Sequence, residues 1–275
     1  GGVPALAYAL SEDGVTFTRP DLGLVEYDGS QANNLIALHT PMRGPVLKDT
    51  AEADPERRYK MVHFTESGGV AVAFSPDGLQ WRPHDDNPVL KPTGDGFSLP
   101  FWDERYGRYV LYVRPNGHHI KRWSGVADAS AFPTRRVGRS ESIDFVHWTS
   151  VEEIITPDDR DGPGIDFYYM HVLPYQGCYV GFLTVYHEFT DDPRPLAGFN
   201  YTLDVQLAFS RDGKEWSRVG SRQCFLRGTP GTWDARRVYG EKALVWDDEI
   251  WIYYRGSNVP HLKIADYLGK TIDGC

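Results

Sequence analysis

The sequence predicts an all-β propeller built from four-stranded antiparallel blades. Two observations carry that expectation. One phrase recurs four times at near-constant spacing, and between its copies lies a second repeated unit that reads strand, turn, strand. The phrase is ALSEDGVTF (Ala9–Phe17), AFSPDGLQW (Ala73–Trp81), SESIDFVHW (Ser140–Trp148) and AFSRDGKEW (Ala208–Trp216). Its serines, Ser11, Ser75, Ser142 and Ser210, stand 64, 67 and 68 residues apart. A fixed period of that kind marks a repeat architecture.

The phrase is itself a hairpin. A strand-like apolar run such as GVAVAF precedes it. Asp-Gly then supplies a left-handed backbone position that glycine adopts without steric cost. Ser and Asp side chains bond the turn's own amides, and the closing aromatic packs on the sheet face. Asp144-Phe145 lacks the glycine, so that turn is expected to differ in type. The phrase therefore specifies architecture, an anchored outer hairpin in each blade, and leaves chemistry to the other ends of the strands.

The second unit is RRYKMVHF (Arg57–Phe64), GRYVLYVRP (Gly107–Pro115), GCYVGFLTVYH (Gly177–His187) and DEIWIYYRG (Asp248–Gly256). A strand precedes each copy: PVLKD, LPFWDE, MHVLPYQ and KALVWDD. One period thus holds four antiparallel strands, the composition of a propeller blade. Almost no segment keeps a helical period. Full units are expected at residues 32–90, 95–152 and 165–220, with another beginning near 233. ALAYALSEDGVTFTRP at the N-terminus supplies only an outer hairpin. If it completes the last unit, the propeller has four blades. If it belongs to a blade of its own, there are five. Five is favoured, because His261–Leu268 already reads as the third strand of the last unit. Residues 1–275 are read as one domain.

A net charge of −9 without a long basic stripe argues against a nucleic-acid partner. No run of about 18 apolar residues is present to span a membrane. The 8 Trp, 16 Tyr and 13 Phe favour strands and supply flat faces on which sugars stack. Cys178, Cys224 and Cys275 lack metal-ligand spacing. His118 and His119 are adjacent, so in a strand they point to opposite faces. No cofactor or metal is expected, although a channel calcium would suit the architecture. Oligomeric state is not readable.

SEDGVTFTRPDLGLVEYDGSQANNLI, FWDERYGRYVLYVR, GRSESIDFVHWT and VQLAFSRDGKEW together resemble bacterial five-bladed β-propeller glycosidases. These are the relatives of fructofuranosidases (family thirty-two) and of arabinanases and xylosidases (family forty-three). The resemblance is one of architecture and strand rhythm. The Asn-Asp-Pro-Asn and Arg-Asp-Pro segments of fructofuranosidases are absent. The resemblance implies a glycoside hydrolase acting on an oligo- or polysaccharide. Two carboxyl groups would flank the scissile bond as acid and base or nucleophile, with a third orienting the sugar. A polymeric substrate favours a periplasmic or secreted location over a cytoplasmic one.

Ligands meet a propeller where the loops entering its innermost strands converge, so the candidates are acids beside those strands. Glu241, in VYGEKALVWDDEIWIYYRG, resembles the general acid of the clan; the alternative is a rim salt bridge with Lys242 or Arg237. Asp166, in GPGIDFYYMHVLPYQG, precedes three aromatics and is expected as base or sugar-orienting carboxylate; the alternative is a turn cap. Asp95 holds the matching place in the third unit. Asp103 lies in a turn mirrored at Asp247-Asp248 and reads as structural. Tyr169 and His171 share a strand face. Asn33 and Asn34 occupy the corresponding entrance of the second unit, where they can bond sugar hydroxyls but cannot serve as proton donors. Arg114, Arg139 and Arg237 carry forks suited to carboxylate, as do Arg135 and Arg136 in PTRRVGRSES. They would receive an anionic sugar such as a uronic acid, or else form salt bridges between blades. Trp233 offers a stacking face. Two rivals stand beside the hydrolase. One is a non-catalytic carbohydrate-binding or scaffold propeller. The other, less favoured, is a polysaccharide lyase using Tyr169, His171 and Arg114.

Overall fold

The computed structural model describes residues 6–38, 42–65, 68–117, 119–121, 132–161, 164–187, 202–259 and 261, with the backbone alone at 95, 97, 119–121 and 132–134. The chain is all-β. The one helical turn among the described residues is a 3-10 turn at Pro55–Arg57, capped by the Asp54 carboxylate, which accepts from the Glu56 N–H. No helix among them is long and apolar enough to cross a membrane. The chain divides into two compact units. The first holds residues 1–92, 100–109 and 141–149; the second holds 93–99, 110–140 and 150–275.

In the first unit, β1 (Val46–Lys48), β2 (Tyr59–Phe64), β3 (Val70–Ser75) and β4 (Arg82–Pro83) form an antiparallel sheet in chain order. This is the predicted four-stranded meander. Its β-branched and aromatic content suits a pleated, buried surface, and Met42, Met61, Ala73 and Trp81 form its core. Lys60 is the exception in this apolar run. It is fully buried, and its Nζ lies 3.1 Å from Asp49, 2.9 Å from Glu52 and 2.8 Å from the Arg57 carbonyl oxygen. Asp49 also accepts from the Tyr109 hydroxyl at 2.5 Å. Burial works to raise the Asp49 and Glu52 carboxyls, but the bonds from Lys60, with Tyr109 at Asp49, outweigh it and hold both below the usual range.

The second unit is built mostly from two further sheets. Along the chain come β5 (Thr93–Phe97), β6 (Phe101–Asp103, which belongs to the first unit), β7 (Arg108–Pro115), β8 (His119–Lys121), β9 (Phe132–Thr134), β10 (Val137–Ser142) and β11 (Glu152–Ile155). One sheet runs β11-β10-β7-β5, and β8 pairs with β9. Then β12 (Ile165–Tyr175), β13 (Cys178–His187) and β14 (Thr202–Ser210) form a long meander. The outer side of β14 is shared by two short strands, β15 (Trp216–Arg218) and β16 (Cys224–Leu226). The hairpin of β17 (Arg237–Trp246) and β18 (Glu249–Ser257) joins this sheet through one parallel pair, Leu203 with Arg237. Leu173, Phe182, Val205 and Val238 form its core. Each copy of the second unit lies on a strand; the first copy of the phrase, Ala9–Phe17, is paired only through an isolated bridge between Leu10 and Thr18. The expected third strand of the last unit falls on residues 262–268, outside the described residues.

The recurring phrase forms the same hairpin in all four copies. Each Ser hydroxyl donates to its Asp Oδ1 at 3.0–3.1 Å. The same oxygen accepts two backbone N–H groups, two and three residues on, at 2.7–2.9 Å. In three copies the closing Trp donates Nε1–H to the carbonyl of the left-handed residue, at 2.9–3.1 Å. The backbone bonds lead in holding Asp13 and Asp212 below the usual carboxylate range. At Asp77 and Asp144 burial opposes and is outweighed, with His147 helping at Asp144.

The expected difference at Asp144-Phe145 does not occur. Phe145 takes φ 68°, beside 74°, 79° and 75° for Gly14, Gly78 and Gly213. A left-handed phenylalanine is strained. Its ring is fully buried against Phe74, Tyr109 and Trp148, and that burial holds the turn in the glycine conformation. The anchors also vary in depth. Trp216 lies over Gly181, where a Cβ would come within 2.8 Å of the ring, whereas Phe17 of the first copy is 54% exposed.

Candidate functional site

Two long strands of the second unit, β12 and β17, each carry one residue too many. On β12, Phe167 pairs with Val185 and Tyr169 with Thr184, so Tyr168 is extra. On β17, Gly240 pairs with Tyr254 and Lys242 with Tyr253, so Glu241 is extra. Such bulges re-aim side chains and recur beside active sites. Here they bring β12 and β17 together through Tyr169, His171, Tyr239 and Glu241.

Glu241 sits in a ring of donors. Tyr169 donates its hydroxyl to Oε1 at 3.3 Å, and Nε of Arg255 lies 3.0 Å from the same oxygen. Nε2 of His171 lies 3.8 Å from Oε2. The carboxylate is still 36% exposed. His171 accepts from the Leu99 backbone N–H at Nδ1, 3.2 Å away, so its proton stands on Nε2. Burial, with Arg255 nearby, lowers the imidazole to about 3. The ring is therefore neutral at working pH. Burial and the Glu241 charge raise the Tyr169 hydroxyl well above its usual value. Burial would lower Arg255, but Glu241 and Tyr169 reverse the direction. All three neighbours thus keep their protons, and Glu241 accepts.

Aromatic rings wall this cluster. Tyr169 stacks on Tyr239 at 6.2 Å and 17°, and meets His171 edge-on at 5.0 Å. The Arg255 guanidinium lies 4.3 Å over Tyr239. Tyr168 touches Tyr169, Tyr239 and the His261 ring, and its hydroxyl lies 2.8 Å from His261 Nε2. The Arg114 guanidinium lies 4.9 Å over Tyr168 and donates to its carbonyl at 2.6 Å. Arg114 reaches there across β5, where Gly94 and Gly96 make room. A Cβ at Gly94 would stand 2.8 Å from Arg114 Cδ, and one at Gly96 2.9 Å from its Nη2.

The other expected site residues divide. Asp166 lies on the face of β12 that carries Tyr169 and His171, but both its oxygens are engaged. Arg135 donates its backbone N–H to Oδ1 at 2.7 Å and its Nη1 to Oδ2 at 2.5 Å. Asp95 stands between Gly94 and Gly96 on β5; its side chain lies outside the described residues. Arg237 precedes Tyr239 on the same face of β17 and donates Nη2 to the Ser257 hydroxyl at 2.9 Å. Arg139 is 3% exposed within β10, opposite Glu152.

Trp233 does not join the cluster. It is 59% exposed and stacks on Tyr254 at 5.7 Å. Tyr254 pairs with Gly240, so by strand alternation it faces away from Arg255. Asn33 and Asn34 belong to the first unit, where their amides hold backbone. Asn33 donates to the Val25 and Ser30 carbonyls and Asn34 to that of Tyr8. Asp103 is structural as expected: buried, with its Oδ1 accepting from the Arg105 N–H.

Arg255 was not singled out from the sequence. Counting the hairpin back from Asp247-Asp248 places it opposite Gly240; the extra residue Glu241 shifts it to face Tyr239, and nothing in DEIWIYYRG announces that shift. The pairing of Arg135 with Asp166 is reached only through tertiary contact. No group of three or more His, Cys, Asp or Glu among the described residues is placed to hold a metal ion. Cys178 and Cys224 are free thiols.

No family model and no curated protein sequence matches the chain. Solved structures do. A glycoside hydrolase aligns at TM-score 0.61 and 12% identity, over 91% of this chain and 74% of its own. A protein solved as an RGII complex aligns at 0.59 and 13%, over 91% and 74%. A Bombyx mori GH32 β-fructofuranosidase aligns at 0.54 and 14%, over 97% of this chain and 52% of its own. The fold is that of glycoside hydrolases. At such identities the likeness speaks for the fold alone.

Proposed function

We propose that this chain is a five-bladed propeller and a carbohydrate-active enzyme, a glycoside hydrolase that works at the meeting of β5, β12 and β17. The observation that carries the reading is Glu241. It is a partly exposed carboxylate on a strand bulge, ringed by Tyr169, His171 and Arg255 and walled by aromatic faces. Aromatic faces take sugar C–H surfaces, while carboxylates and guanidinia take hydroxyls.

The contacts revise the role expected for Glu241. With Arg255 Nε 3.0 Å from Oε1 and the Tyr169 hydroxyl on the same oxygen, Glu241 is placed to accept hydrogen bonds. In this reading Glu241 is base or nucleophile, and the proton donor is sought elsewhere. Asp166, with both oxygens on Arg135, orients that arginine and the sugar. Asp95, on β5, is the candidate acid. Whether the reaction retains or inverts follows from the distance between the two carboxyls, about 5–5.5 Å or about 6.5–9.5 Å.

One observation favours the rival, a non-catalytic carbohydrate-binding propeller. Both oxygens of Asp166 are bonded within the protein, and Glu241 Oε1 is too. Hydrolysis of a panel of neutral and acidic oligosaccharides separates the readings, with wild type beside Glu241→Gln, Asp95→Asn and Asp166→Asn. Cleavage abolished in the first two variants, with folding intact, supports the assignment. Cleavage surviving Glu241→Gln sinks it. Sugar binding without cleavage by the wild type favours the rival.

A further inference from the structure

Among the described residues, Arg237 is a cation without an anion. It lies two residues before Tyr239 on the face of β17 turned to the cluster, directly across from Ser257. Its Nη2 donates to the Ser257 hydroxyl, and its Nε is buried without a hydrogen-bond partner. No carboxylate of the described residues lies within ion-pair distance of it. The arginines beside the two acids of the site are matched: Arg135 by Asp166 and Arg255 by Glu241. A partly buried guanidinium with an unmet donor is unfavourable in the free protein. A ligand carboxylate supplies the missing negative charge, with acceptors in the geometry that an arginine fork receives.

We propose that the sugar bound at this site carries a carboxylate, as a uronic acid does, and that Arg237 receives it. The proposal rests on the reading of the site as carbohydrate-binding, and it adds the class of sugar. It assigns Arg237 a specificity role: it holds the acidic group of the ring whose bond faces Glu241, and takes no part in proton transfer. The same guanidinium discriminates against the neutral hexose of equal shape, which brings it no counter-charge.

The test uses matched pairs of probes: glucuronic with glucose oligosaccharides, and galacturonic with galactose oligosaccharides, each uronate also as its methyl ester. Binding is read by calorimetry and cleavage by reducing ends. The expected result is that the wild type prefers at least one uronate over its neutral counterpart and over its methyl ester by about 100-fold. That preference should shrink as salt rises. Arg237→Gln should abolish the preference, and Arg237→Lys should restore part of it. A wild type that binds the methyl ester or the neutral sugar as well as the acid overturns the inference and leaves the hydrolase reading standing. So does a wild type that binds no uronate. Uronate binding that depends on Arg237, with no cleavage, upholds the inference and removes the hydrolase reading. The ester comparison needs only the wild type, so it decides the matter even if the variants fail to fold.

Discussion

The backbone N–H of Leu99 donates to Nδ1 of His171, and this one bond decides which end of the imidazole faces Glu241 with a proton. A hydrogen bond at one ring nitrogen sets the tautomer at the other. The ring is buried and lowered to about 3, so it stays neutral in the fold and protonates in the unfolded chain near pH 6.5.

Stability should follow from that difference. The unfolded state binds a proton that the folded state refuses. The contribution of His171 is therefore complete above pH 6.5 and is lost as pH falls, by up to about 1.4 kcal/mol per unit. His63, which burial also lowers, acts in the same direction. Urea unfolding at pH 7, 6 and 5 should give falling midpoints for the wild type and a shallower fall for His171→Asn. Equal slopes would mean that His171 is not neutral in the fold.

Gly96→Ala should damage the site from a distance. The new methyl would meet Arg114 Nη2 at 2.9 Å and the Tyr168 carbonyl oxygen at 3.1 Å. Overpacking of this kind costs about 1–3 kcal/mol. It should also displace Arg114 from Tyr168, so ligand binding should weaken by more than the loss of folded protein explains. Gly107→Ala is the comparison for backbone strain alone: its Cβ meets nothing within 4 Å, and its φ of 64° is a strain that Gly96 does not have.

At Phe145 the usual order of substitutions should reverse. Phe145→Ala removes the buried ring, at about 3–5 kcal/mol, and keeps an alanine in the left-handed region. Phe145→Gly removes the same ring and relieves the backbone. The glycine variant should therefore be the more stable of the two by about 1 kcal/mol, measured by denaturant unfolding. Equal stabilities would mean that the turn is unstrained.

Lys60→Met should strand Asp49 and Glu52 as charges without their cation, destabilising the first unit by about 3–5 kcal/mol near neutral pH. Both carboxyls are held low in the wild type, so their contribution exists above pH 4.5 and is lost as pH falls below it. In the variant they can protonate without losing a partner. The gap between wild type and variant should therefore narrow below pH 4.5. A constant gap would show that the ion pair contributes nothing specific.

Much of this was legible because it is local. SxDG and its closing aromatic announce a turn whose bonds are all made within six residues. The repeated β-rich run beside a polar turn located β2, β3, β7, β13 and β18. Phe145 was misjudged because the left-handed position was inferred from glycine, whereas there the ring's burial enforces the backbone. Tyr169 and His171 share a face because a strand face is written at every second residue, and the bulge at Glu241 brings that carboxylate to them. Trp233 lies before β17, where that alternation does not extend. The pairing of Arg135 and the orientation of His171 depend on partners 31 and 72 residues away, and no local pattern encodes such distances.

The bulges carry a consequence for how such a site arises. Tyr168 and Glu241 are supernumerary: delete either, and the ladder around it closes into a regular hairpin with every other pair in place. The scaffold and the chemistry are thus separable at the level of single codons. Loss of Glu241 would take the carboxylate from the centre and leave the pairs of β17 and β18 in step, whereas loss of Tyr168 would also take a ring that packs on Tyr169, Tyr239 and His261.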